Sequence, residues 1–177
     1  MEMDETRNKT NESRKQINAF LGVVTAEVEQ QYLAYTGKIS VAAAIFLLMS
    51  VAQDFFGDKG SVMYWVLGCT MLAGVILVFW FSIKSMKFYR YTNRLGFWSL
   101  KFQDEYADYV SAFSLRTTCH ILMYGGFLLA ILGDSQWFLE SLTPIGLTGA
   151  IFVLLGGAML THGVLILWKL REDDADE

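Results

Sequence analysis

Hydrophobic and polar residues fall in long blocks along this chain. Four stretches carry no Asp, Glu, Lys or Arg: residues 39–53, 60–83, 117–133 and 141–168. A helix needs roughly 20 mostly apolar residues to cross about 30 Å of hydrocarbon. The second and fourth blocks meet that length outright. The third meets it by starting at Ala112, which sets Arg116 near an interface, and the first by including Gln53, Asp54, Phe55 and Phe56. The pattern predicts an all-α integral membrane protein with four transmembrane helices, at residues 38–57, 61–83, 112–133 and 143–168.

The segments between the blocks carry their own patterns. In residues 1–37 a helical period begins near Ser13. Ile17, Leu21, Val24, Val28 and Tyr35 form an apolar stripe, widened by Phe20 and Tyr32 and flanked by Glu27 and Glu29. This reads as an amphipathic cytoplasmic helix running into the first span, with a bend at Gly37. It either lies on the membrane surface or packs against other cytoplasmic helices. The lead is too polar for a cleavable signal peptide, so the first span is expected to direct insertion. Residues 84–111 show no helix breaker before Asn93 to Gly96. They predict a cytoplasmic helical hairpin, with span two continuing to Thr92 and a second helix starting near Phe97. Gly57 to Gly60 reads as a tight turn. Pro144 suits the first turn of span four, where a missing N–H costs nothing.

Composition alone does not decide the class. Hydrophobic residues make up 54% of the chain and charged ones 18%, totals that a soluble core could also show. Charge distribution is more informative. Of the 14 Lys and Arg residues, all but Lys59 lie before or at the first residue of span one, between spans two and three or in the first turns of span three, or after span four. Basic residues mark the cytoplasmic side, so both termini are expected there, with a bacterial inner (plasma) membrane as the location. Trp80, Trp98, Trp137 and Trp168 fall near the expected interfaces. The net charge of −4 argues against a nucleic-acid partner. Residues 169–177 read as a solvated acidic tail.

Small residues recur every seven positions in three spans: Ala43, Ser50 and Gly57; Ala112, Cys119, Gly126 and Gly133; Gly149, Gly156 and Gly163. That spacing keeps one face aligned in a left-handed bundle and allows close helix approach. It serves either packing within one four-helix bundle or a homo-oligomer interface.

Ionisable groups at membrane depth are candidates for function. His120 and His162 both lie in spans, each six residues inside an expected cytoplasmic boundary, about 9 Å at 1.5 Å per residue. They could form a pH switch, or each could bond a backbone carbonyl or hydroxyl. No carboxylate sits at that depth, so no metal site is expected. Cys69 and Cys119 read as small apolar residues. Asp54, Asp58, Asp134 and Glu140 would make the outer face acidic, and in an oligomer they would repeat as rings that select cations. Arg116 is expected to snorkel to phosphate or to pair with Asp108.

The hairpin carries Lys84, Lys87, Arg90 and Arg94, suited to anionic lipid. It also carries an aromatic set including Phe88, Tyr91, Trp98, Phe102 and Tyr106 that must pack on something. Trp98 and Phe102, with the basic residues, are the candidate contacts for lipid or a soluble partner. No phosphate loop, zinc-protease motif or nucleophile elbow occurs, and neither an enzyme nor a cofactor is expected. Two functions remain. One is a homo-oligomeric ion channel or pore-like effector gated through its cytoplasmic helices. The other is a non-conducting membrane anchor or sensor that recruits a soluble cytoplasmic partner, as in a bacterial stress or antiviral complex.

Overall fold

The computed structural model describes residues 24–56, 58, 60–91 and 102–176. Its helices are α1 (Ala26–Phe55), α2 (Val62–Ser85), α3 (Glu105–Leu132), α4 (Gln136–Leu142) and α5 (Gly146–Asp176), and α2 leads into a 3-10 helix at Met86–Tyr91. Among the described residues there is no strand. Four of these helices, α1, α2, α3 and α5, are long and apolar enough to cross a membrane.

The amphipathic lead and the first span, so far as they are described, are one unbroken helix. α1 has 30 residues, about 45 Å at 1.5 Å per residue, and it passes through Gly37 without interruption. The part of the lead before Val24 lies outside the described residues. The end of α2 tightens to 3-10 winding at Met86, short of the expected helix to Thr92. α3 begins at Glu105, and Phe102 to Asp104 are not helical. The reason is a cap: the Asp104 carboxylate accepts the N–H of Ala107 at 3.0 Å, satisfying a donor left open in the first turn. The expected start at Phe97 lies outside the described residues. At the other end of the molecule Ser61 caps α2 through the N–H of Met63. α5 begins after Pro144, which sits in the preceding turn. Gly146 there has φ +65°, a conformation that glycine adopts without steric cost. The helix then runs past Trp168 into the acidic residues as far as Asp176.

Packing is sequential. α1 and α5 form the central pair, α2 packs on α1, α3 packs on α5, and α4 rests on α5. α2 and α3 occupy opposite flanks. The start of α1, the end of α2, the start of α3 and the end of α5 gather at one end, with Lys38, Lys84, Lys87, Lys169 and Arg171 among their residues. We refer to this as the basic end.

Apolar side chains mostly face outward. Of the residues in α2, Leu67 and Gly74 are the buried ones, while Leu72, Ile76, Phe79, Trp80 and Ile83 are exposed. Phe127, Leu128 and Ile131 on α3 and Val153 and Val164 on α5 are exposed as well. Beside Leu33, Val51, Val110 and Ile166, the interior holds small and polar residues, such as Ala42, Ala44, Ala107, Ala158, Ser40, Ser111, Ser114 and Glu29. Soluble monomers rarely expose contiguous apolar patches of more than a few hundred Å², and a hydrocarbon solvent reverses that restriction. Exposed Trp65 and Trp80 on α2 stand about 22 Å apart along the axis, the arrangement of interfacial aromatic belts. These features point to a small integral membrane protein.

Candidate functional site

The basic end is held by one buried carboxylate. Glu29 is 1% exposed. Its two oxygens accept the backbone N–H groups of Gln103 at 3.0 Å and Asp104 at 2.7 Å. An anion at a helix N-terminus opposes the positive end of the helix dipole, so α1 clamps the start of α3. Gln30 adds a side-chain bond to Asp104 at 3.3 Å. Asp108 accepts the N–H of Phe102 at 3.0 Å, so its carboxylate serves the cap region; pairing with Asp108 was one of two readings of Arg116, contact with phosphate the other. Across the same end the Tyr106 hydroxyl donates to the carbonyl of Lys169 at 2.5 Å, tying α3 to α5.

Among the described aromatic residues of the expected hairpin, Phe88, Tyr91 and Phe102 pack inward. Phe88 and Tyr91 are buried against Val24, Val28, Tyr32 and Tyr35. The ring of Tyr32 lies 5.8 Å from Phe88 and 6.4 Å from Phe102. Phe102, a candidate partner contact, belongs to the core with Leu33, Val110 and Ile166. The stripe on α1 therefore faces protein along its described part. Lys87 lies over the rings of Tyr35 and Phe88 and Lys84 over Trp80, favourable cation–π placements. Arg94 and Trp98 lie outside the described residues, as does the side chain of Arg90.

A cavity of about 460 Å³ opens inside this end. Its polar wall comprises Thr36 and Ser40 from α1, Ser82 and Ser85 from α2, Ser111 from α3 and His162 from α5. Leu33, Ile39 and the rings of Tyr32 and Phe102 complete it. Burial pushes the Tyr32 phenol up to about 12, because the phenolate is the form that loses hydration. The His162 ring lies beside the backbone of Ser114. Its Nδ1 is buried with no hydrogen-bond partner among the described residues.

His120 faces the other way. It is exposed on α3 and its ring stacks on Tyr124 at 6.0 Å. Arg116, His120 and Tyr124 follow at i, i+4 and i+8 and so share one face. All three are exposed, as is Cys119 beside them. The two histidines thus lie in different surroundings, one on a cavity wall and one on an outer ridge.

The small-residue stripes divide in the same way. On α5, Gly156 abuts Leu47 and Leu48, and Gly163 abuts Gly37 and Val41, so this stripe faces α1. Gly149 is buried beside its own Ile145. On α3, Ala112 and Cys119 are exposed, and a side chain added at Gly126 would meet nothing within 4 Å. Gly133 meets its own helix at Leu129. On α1, Ala43 is half-buried and Ser50 donates to the Leu47 carbonyl at 2.8 Å, while Gly57 lies outside the described residues. Other close approaches fall on glycines outside the stripes: Gly37 against α5, Gly68 against Gln53, Gly74 against Ala42 and Phe46, and Gly125 against Leu154.

Asp54, Asp58, Asp134 and Glu140 are all exposed at the end opposite the basic one. Among the described residues no group of His, Cys, Asp and Glu could hold a metal ion. Comparison of the chain with protein-family models, curated proteins and solved structures gave no match.

Proposed function

We propose that this chain assembles with copies of itself into an ion channel or pore-like membrane effector. The observation that carries this reading is the outward ridge of Arg116, His120 and Tyr124 on α3. Ionisable side chains within membrane helices almost always face a bundle interior or a water-filled cavity. In one copy this ridge faces neither. A second copy of the chain removes it from lipid, and the small residues Ala112, Cys119 and Gly126 beside it permit the close approach that association in lipid requires. The basic end is cytoplasmic by the positive-inside rule, which puts both termini inside and the acidic residues at the outer mouth. Gating acts through the basic end, where α1 and α3 are joined.

The test uses the protein in membranes with Cys69→Ser, leaving Cys119 as the sole cysteine. Mild oxidation is expected to give a disulfide-linked dimer through Cys119. In liposomes the same protein is expected to pass ions, with conductance or selectivity altered by His120→Ala and Asp54→Asn. A chain that stays monomeric at every lipid-to-protein ratio would sink the assembly. A cross-linked but non-conducting protein would replace the pore with a membrane anchor. The inward packing of Phe88, Tyr91 and Phe102 takes these aromatics away from a soluble partner and weighs against that alternative.

A further inference from the structure

The cavity at the basic end is built for a particular chemistry. Among the described residues that line it none is Asp, Glu, Lys or Arg, and beside these an ionised ligand would lose its hydration without a counter-charge, which is costly. The wall offers hydroxyls from Thr36, Ser40, Ser82, Ser85 and Ser111 over a mostly apolar surface, and its volume of about 460 Å³ is within the usual range of ligand pockets. His162 stands on this wall with one ring nitrogen sheltered and unpartnered among the described residues. Leaving such a nitrogen without a partner is unfavourable.

Position narrows the choice. Ser40 lies just past Lys38, and Ser82 and Ser85 flank Lys84, so the cavity sits at the depth where lipid heads meet acyl chains. Its walls include both α2 and α3, yet these helices pack on opposite flanks of the central pair. Little packing between α2 and α3 closes the cavity on that side.

We infer that this cavity binds the uncharged, hydroxyl-bearing head of a membrane glyceride, with the acyl chain leaving between α2 and α3. The glycerol hydroxyls donate to His162 and the serine oxygens, and the ester carbonyl accepts from a serine hydroxyl. The inference rests on the membrane reading and is independent of the pore.

The experiment is photolabelling of the purified full chain in nanodiscs. The probe is a monoacylglycerol carrying a diazirine near the head of its acyl chain, and labelled peptides are mapped by mass spectrometry. Label is expected on residues 32–40 and 82–85 and is expected to be competed by unlabelled monoacylglycerol. In Ser85→Leu, which fills the cavity, and in His162→Phe, which removes the nitrogen, labelling there should fall about fivefold, the loss of roughly one neutral hydrogen bond. Both variants are checked against the parent by gel filtration and melting, and the competition series stands even if one fails to fold. Label spread evenly over the outer faces of α2 and α3, or unchanged in both variants, overturns the site. Equal competition by lysophosphatidic acid overturns the selection for an uncharged head. Equal competition by free glycerol overturns the membrane source.

Discussion

The Glu29 carboxylate accepts the backbone N–H of Asp104, the residue that caps α3, at 2.7 Å, and the N–H of Gln103 at 3.0 Å. One side chain of α1 thus fixes where α3 begins. Glu29→Ala leaves two sheltered amides without an acceptor and is expected to destabilise the protein by about 2–4 kcal/mol. Glu29→Gln keeps one carbonyl oxygen and should lose roughly half as much. Thermal melting in detergent reads the loss, and amide exchange should quicken locally from Gln103 to Ala107. Unchanged exchange there would remove the clamp.

Gly163 meets α1 backbone to backbone. A Cβ added to it would stand 2.5 Å from the Gly37 carbonyl oxygen and 2.9 Å from the Val41 nitrogen. Backbone cannot yield as a flexible side chain can, so Gly163→Ala must push α1 and α5 apart, at a cost of about 1–3 kcal/mol. Gly157→Ala is the control. It faces open space and should be neutral or gain up to about 1 kcal/mol of helix stability. Equal melting temperatures for the two variants would contradict the close approach.

Alkaline stability should depend on Tyr32. Its folded pKa is raised by burial to about 12, against an ordinary value of 10.0. Between those values the unfolded chain loses a proton that the folded one keeps. The contribution of this group is complete below pH about 10 and is lost as pH rises toward about 12. The melting temperature is expected to fall across that window, and less steeply in Tyr32→Phe. Parallel slopes for the two proteins would assign the fall to other groups.

The four membrane-capable helices were legible because a charge-free run of about 20 residues has few other uses. Their partners were not. Glu29 read as a flank of an apolar stripe, which is all a helical period can say of it, since its amide partners lie 74 and 75 residues away. Gly37 read as a bend because glycine loosens a helix. Its absent side chain is used instead for contact with α5, and the helix continues through it. Gly125 and Gly126 show the limit most clearly. The seven-residue spacing selects Gly126, yet α3 meets Leu154 of α5 through Gly125. Neighbouring residues point about 100° apart on a helix, so a stripe one residue off faces the wrong way.

α1 is a single rod without a joint. It carries Glu29 near one end and Asp54 at the other, about 38 Å apart at helical rise, on opposite sides of the hydrophobic zone. Because Gly37 is wedged against Gly163, the rod cannot flex there to absorb a displacement. Under the gating proposed above, a tilt or twist imposed on the start of α3 passes through Glu29 along the shaft, with the glycine contact as fulcrum, and emerges as a movement of Asp54 at the far side.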